Sequence, residues 1–337
     1  MVPRSPDSRQ TSPWRQQLAE AITDPAELLR VLELPGALLP RARAAAKDFP
    51  LKVPASFVRK IRKGDPQDPL LRQILPLDDE LREAPGFVAD PVGDVAALKA
   101  PGLIHKYRDR VLLSATPACA VHCRYCFRRH FDYAGAGHGP DAWRAAADYV
   151  RARPEITELI LSGGDPLSLS DGRLQTLTDA FLDIAHLKRL RIHTRQPVVL
   201  PGRVDAGLLD WLRDLPWDRA VVIHANHPAE LDDEVAAVLA ALKSTGVLLL
   251  NQSVVLRGVN DDVEVLEALS ERLYACGALP YYLNGLDRVA GSAHFYVSDA
   301  RVLELHARLR ERLPGYLVPR PVRDVGRGGA KQPLFLV

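Results

Sequence analysis

The fold reading turns on one stretch, Val111-Leu112-Leu113-Ser114-Ala115-Thr116-Pro117-Ala118-Cys119-Ala120-Val121-His122-Cys123-Arg124-Tyr125-Cys126-Phe127. A short apolar run, the pattern of a buried strand, leads directly into three cysteines spaced C-x3-C-x2-C. Thiolates bind zinc and iron–sulfur clusters alike. Structural zinc takes four ligands, commonly as two C-x2–4-C pairs. Here there is one such pair, and His122 sits inside the loop. The fourth cysteine, Cys276, lies far along the chain in an apolar helical stretch, where it reads as a small buried hydrophobe. Three cysteines can instead hold three irons of a 4Fe–4S cube and leave the fourth iron open. Such crowding is foreign to a secreted disulfide framework.

Outward from this loop the chain alternates. Short apolar or β-branched runs at Val111–Ala115, Glu158–Leu161, Leu190–His193, Arg219–Ile223, Val247–Val255 and Ala278–Leu283 read as strands. Helical stretches lie between them at Asp141–Arg151, Arg173–Ile184, Ala206–Leu215, Pro228–Lys243 and Val263–Tyr274, and Asp299–Leu313 closes the series. This alternation predicts an α/β fold of parallel βα units with right-handed crossovers. Functional residues of such folds collect at the carboxyl ends of the strands, where the cysteines fall. Before it, Trp14 to about Lys63 is helical in pattern, and residues 64–100 form a Pro-rich, irregular wrap. The expected division is an extension over 1–104, an α/β unit over 105–315 and a tail over 316–337.

Composition excludes several classes. Apolar residues make up 47% and charged residues 26% of the 337, as in an ordinary soluble globule. Lys plus Arg (44) against Asp plus Glu (42) leaves +2, so charge gives no reason to expect nucleic acid or membrane as a partner. No apolar run approaches the ~18 residues of a membrane span. The start lacks the apolar segment of a signal peptide, so a cytoplasmic protein is expected.

Further polar groups cluster at the ends of the expected strands. Ser162-Gly163-Gly164-Asp165-Pro166-Leu167 follows the second strand, and by itself is strong turn chemistry. His193-Thr194-Arg195-Gln196-Pro197, His224-Ala225-Asn226-His227 and Asn251-Gln252-Ser253 end later ones. Arg128 lies just past the last cysteine, Asp287 just past the sixth strand, and Lys331 seven positions after Asp324 in a Gly-containing tail. Taken singly, each reads more readily as structural than as functional.

Together they resemble the radical S-adenosylmethionine (SAM) superfamily and, within it, the lysine 2,3-aminomutase family. The resemblance implies a partial (β/α)6 barrel with the N-terminal helices outside it. Cys119, Cys123 and Cys126 would hold a 4Fe–4S cluster whose open iron binds SAM. Gly163, Gly164, Asp165, His224 and Gln252 would lie along SAM. Lys331 would bind pyridoxal phosphate (PLP) as a Schiff base, with Lys106 or Arg110 at its phosphate. Arg128 would clamp the substrate carboxylate with its guanidinium fork, and Asp287 with Asp324 would hold the substrate's ε-ammonium. Arg327 departs from the family's more Gly-rich run before the lysine.

Val53-Pro54-Ala55-Ser56-Phe57, the stretch from Gly64 to Gln73, Pro85-Gly86-Phe87 and the stretch from His122 to Phe131 look most like the short branch of that family, the elongation factor P (EF-P) β-lysylation protein B group. The end of the chain six residues after Lys331 agrees with that branch. The resemblance then implies an isomerase that moves the amino group of L-lysine from C2 to C3. Its β-lysine would pass to a ligase that attaches it to EF-P, and a low-potential electron donor would be a further partner. Three alternatives stay open. A free-metabolite β-lysine producer would have the same site. A glutamate 2,3-aminomutase would need a cation where Asp287 and Asp324 stand. A non-catalytic iron–sulfur protein would have no use for Lys331 or for paired acids.

Overall fold

A single ten-stranded sheet organises the computed structural model, which describes residues 13–324 and 331–334. Its strands lie side by side in chain order: β1 (Leu98–Ala100), β2 (Leu103–Tyr107), β3 (Arg110–Thr116), β4 (Glu158–Gly163), β5 (Arg189–Thr194), β6 (Asp218–Ile223), β7 (Leu248–Val254), β8 (Leu279–Asn284), β9 (Arg320–Arg323) and β10 (Gln332–Pro333). Strands β3 to β9 are parallel. Antiparallel strands flank them, β1 and β2 at one edge and β10 at the other. The sheet does not close.

The six expected strands are β3 to β8, each within two residues of its expected bounds. The sheet extends beyond them on both sides. β2 turns into β3 as an antiparallel pair, so the sheet starts at Leu98, inside the expected extension. β9 reads Arg-Pro-Val-Arg and carries no apolar run, yet it pairs with Tyr282, Leu283 and Asn284 of β8.

Alternation along the strands divides core from cavity. On β5, Leu190 and Ile192 are buried against the helices, while Arg191 and His193 line the inner face. Trp143, Val150, Leu174, Leu177, Trp211 and Leu239 cover the outer face with the helices Pro140–Arg151, Asp171–Asp179, Ala206–Asp214 and Asp233–Lys243. Each fully buried side chain of this size stabilises by roughly 1.5–3 kcal/mol. Helix starts are fixed by side-chain caps: Ser170 accepts from Arg173 N, Asp205 from Leu208 N, Asp232 from Val235 N and Ser298 from Arg301 N. The helix expected from Pro228 instead breaks into a short turn, Pro228–Glu230, before Asp232 caps Asp233–Lys243. The cause is Glu230, whose carboxylate accepts the backbone N–H of Asn226 and His227.

The N-terminal segment builds a second core. Trp14, Leu28, Leu32, Phe57, Leu70 and Ile74 pack with Ala120 and Val121 of the cysteine loop and with Val199 and Leu200 after β5. The extension is thus packed against the cysteine loop and the segment after β5. Among the described residues no helix is long and apolar enough to cross a membrane.

Candidate active site

The cysteine loop leaves the carboxyl end of β3 and is held from outside by the N-terminal segment. His122 N donates to Lys52 O at 2.9 Å and Arg124 N to Gln73 O at 2.9 Å. Glu80 takes both arms of Arg124, at 2.8 and 2.6 Å, and Arg129 at 2.7 Å. All three of these side chains are nearly or fully buried. The guanidinium groups of Arg124 and Arg129 also lie over the Phe49 ring. Burial pushes the Cys119 thiol well up and Cys126 up to about 11, with neighbouring acid and thiol groups adding to it. A bound cation inverts this balance, because coordination deprotonates a thiol. Among the described residues no three His, Cys, Asp or Glu side chains converge on a single ion. The three thiols share one cavity.

Glycine at 163 and 164 has a visible cause. Gly163 has φ +109°, and a Cβ there would stand 2.5 Å from Ser114 Oγ. A Cβ on Gly164 would stand 2.5 Å from Ala118 O and 2.7 Å from Pro117 C. The Gly-Gly turn therefore packs directly on the backbone that leads into Cys119. Asp165 is fully engaged: it accepts from Leu167 N, Thr194 Oγ1, Arg195 N and Gln196 N. Its carboxylate ties the loop after β4 to the loop after β5. Past β6, His224 is pushed down to about 3 by burial, with the Arg195 charge next. It is a neutral imidazole, and its Nε2 accepts from Gln252 Nε2 at 2.6 Å.

The other end of the cavity gathers charges. Arg128 donates from Nε to Asp94 Oδ2 at 2.8 Å and from Nη1 to Ser162 Oγ at 3.1 Å. Lys106 Nζ donates to Asp94 Oδ1 and to Val92 O. Its ammonium is therefore spent on holding Asp94. Arg110 pairs with Asp109 and covers the Tyr107 ring. Lys331 directly precedes β10; its N–H donates to Tyr107 Oη at 2.9 Å and its Nζ to Asn284 Oδ1 at 2.7 Å. Burial lowers its pKa against the pull of Asp324 and Asp287. Asp287 is raised to about 7, first by burial and then by the charge of Asp324.

Every site residue singled out in the sequence lines this one cavity of about 430 Å³: Lys106, Arg110, the three cysteines, Arg128, Gly163, Gly164, Asp165, His224, Gln252, Asp287, Asp324 and Lys331. Cys276 is not among them; it is buried against Leu269, Leu273 and Ala278. Arg327 lies outside the described residues. Four buried polar atoms of residues in the lining, Asp324 Oδ1, His193 Nε2, Arg129 Nε and Arg195 Nε, have no hydrogen-bond partner among the described residues. A cavity that leaves such atoms unpaired is shaped for polar ligands. The residues present thus fit the groups the sequence implies: three thiols without a fourth for a site-differentiated cluster, and a buried amine of lowered pKa for a carbonyl cofactor.

Sequence reasoning missed Glu80, Asp94 and Gln73. All three lie in the Pro-rich wrap, where no periodicity marks a buried polar residue, and their partners are tens of positions away.

Residues 113–269 match the family model of the radical SAM superfamily. The chain is 45% identical over 324 residues to the L-lysine 2,3-aminomutase of Escherichia coli (strain K12), covering 96% of this chain and 94% of that one. It is 44% identical over 325 residues to the L-lysine 2,3-aminomutase of Haemophilus influenzae, with 96% of each chain covered. It is 34% identical to the L-lysine 2,3-aminomutase of Clostridium subterminale, over 96% of this chain and 77% of that one.

Proposed function

The chain belongs to the L-lysine 2,3-aminomutase family of radical SAM isomerases, and from that premise we propose that it converts L-α-lysine to β-lysine with SAM, a 4Fe–4S cluster and PLP. The observation that carries the reading is that one cavity brings together the three thiols, Lys331, Arg128, Asp287 and Asp324. When bound, the cluster supplies the electron that cleaves SAM, and PLP supplies the conjugated system that lets the amino group migrate.

The chain's own residues then divide the work. Arg128, oriented by Asp94 and Ser162, keeps Nη2 for the substrate carboxylate; that nitrogen has no hydrogen bond among the described residues. Asp287 and Asp324 receive the ε-ammonium. Its arrival turns two repelling carboxyl groups into a paired set, so Asp287 gives up its proton as lysine binds. Burial keeps the Lys331 amine uncharged more readily, and Asn284 aims it. His224 and Gln252, locked to each other, form the neutral wall expected along SAM. With Lys106 committed to Asp94, Arg110 is the better phosphate ligand of the two. The N-terminal extension acts as the outer wall of the cluster site, and residues 316–337 as the carrier of the PLP lysine.

We assign the β-lysine product to the modification of EF-P in the cytoplasm. In support, the stretches Val53–Phe57, Gly64–Gln73 and His122–Phe131 resemble the short branch of the family. The acid pair argues against a glutamate mutase, since a distal carboxylate would face two carboxyl groups where it needs a cation. The test is anaerobic incubation of reconstituted protein with SAM, PLP, reductant and either L-lysine or L-glutamate, followed by chiral analysis. β-Lysine from lysine alone, lost in Lys331→Ala with the cluster retained, is expected. β-Glutamate formation, or no product from either, would overturn the reading. For the destination, deletion in the host should remove the β-lysyl mass increment from EF-P; an unchanged increment would refute that part.

A further inference from the structure

Arg195 takes no part in the steps above, yet its placement is costly and specific. Asp165 fixes the backbone there by accepting the N–H of both Arg195 and Gln196. The guanidinium is buried, with 7% of the side chain exposed, and its main counter-charge, Glu230, has 0% exposed. Nη2 donates to Glu230 Oε2 at 2.9 Å and to Gln73 Oε1 at 2.7 Å. Nη1 donates to Cys123 Sγ at 2.8 Å. The other oxygen of Glu230 is taken by Gln73 Nε2 and by the N–H groups of Asn226 and His227. The network thus spans the N-terminal segment, the loop after β5, the loop after β6 and one cysteine sulfur.

A structural tie between those loops needs only Gln73, Glu230 and one arm of Arg195. It does not need a cation directed at a sulfur. Hydrogen bonds to ligand sulfur, local net charge and burial set the potential of an iron–sulfur centre. Reduction adds one electron to the cluster and makes its sulfurs more negative, so a cationic donor stabilises the reduced form. A carboxylate behind that cation opposes the effect. We propose that Arg195 and Glu230 form a charge pair that sets the reduction potential of the cluster through Cys123. Arg195 is in this sense a positioning residue, acting through a ligand. The inference rests on the reading of Cys123 as a cluster ligand.

The test is a dithionite titration of the reconstituted holoenzyme without SAM, followed by electron paramagnetic resonance, with iron and sulfide counted in each sample. Parent, Arg195→Gln, Arg195→Lys and Glu230→Gln are compared. At a fixed poise, Arg195→Gln should lower the ratio of reduced to oxidised cluster by about tenfold, the weight of one charge-assisted hydrogen bond. Arg195→Lys should recover part of it, and Glu230→Gln should raise the ratio. An iron-replete Arg195→Gln that titrates like the parent overturns the proposal, as do shifts of the same sign in Arg195→Gln and Glu230→Gln. If Arg195→Gln cannot hold iron, an iron-replete Glu230→Gln that titrates like the parent overturns it equally. A parent with no reducible cluster would instead refute the assignment of the cysteines.

Discussion

Replacing Asp287 with Asn should make the protein more stable and less active at once. Asp287 is raised from 3.8 to about 7, by burial first and Asp324 next. A carboxyl group raised in the folded state holds its proton more tightly folded than unfolded. Its favourable contribution is complete below about pH 4 and is lost as pH rises through 7. At pH 8 the ionised side chain therefore costs roughly 2–4 kcal/mol, from about 3 pH units at ~1.36 kcal/mol each, reduced for the opening of the cavity to solvent. Asp287→Asn should recover that amount at pH 8 and almost none near pH 4. In turnover the sign reverses. The ε-ammonium of bound lysine loses a buried partner, worth ~2–5 kcal/mol in comparable pairs. The kcat/KM for lysine should fall by roughly 30-fold or more. Urea unfolding of parent and variant at the two pH values reads the first effect, and steady-state kinetics the second. A variant that is less stable at pH 8 and turns lysine over like the parent would refute the assignment of the ε-ammonium site.

Three other substitutions probe the cluster and its support. Cys276→Ser should leave iron per chain unchanged, because Cys276 packs among leucines away from the cavity; loss of iron would contradict the three-thiol site. Gly164→Ala puts a methyl group 2.5 Å from Ala118 O, backbone that cannot swing aside, so it should destabilise by ~1–3 kcal/mol and lower iron content together. An unaltered iron content would show that the turn does not shape the cysteine loop. Glu80→Gln leaves the buried Arg124 and Arg129 without their shared carboxylate and should cost about 3–5 kcal/mol in urea unfolding; a cost within ~0.5 kcal/mol, as for a surface position, would contradict the clasp.

The strands β3 to β8 were legible because each is a short apolar run bounded by turn residues. β9 was not: Arg320, Pro321 and Arg323 hide a strand that β8 pairs only through tertiary context. That strand matters, since β10 returns against it and delivers Lys331 to the cavity. The cysteine loop stood out because its C-x3-C-x2-C spacing is local. The groups that steady it did not, because Glu80, Asp94 and Gln73 act across the fold on residues 34 to 122 positions away. The Gly-Gly turn was legible as a turn. Its deeper cause, a backbone-to-backbone approach at Pro117 and Ala118, belongs to the packing of two loops and leaves no mark in either alone.

A single reaction shared by the cluster side and the lysine side of one cavity would carry hydrogen from C3 of lysine through the 5′ carbon of SAM to C2. Its most direct test is turnover of L-lysine carrying deuterium at C3, with mass spectrometry of product and of SAM. The expected result is β-lysine bearing deuterium at C2, deuterium exchanged into the 5′ carbon of SAM, and SAM regenerated rather than consumed. Accumulation of 5′-deoxyadenosine in proportion to SAM, with no labelled β-lysine, would contradict it.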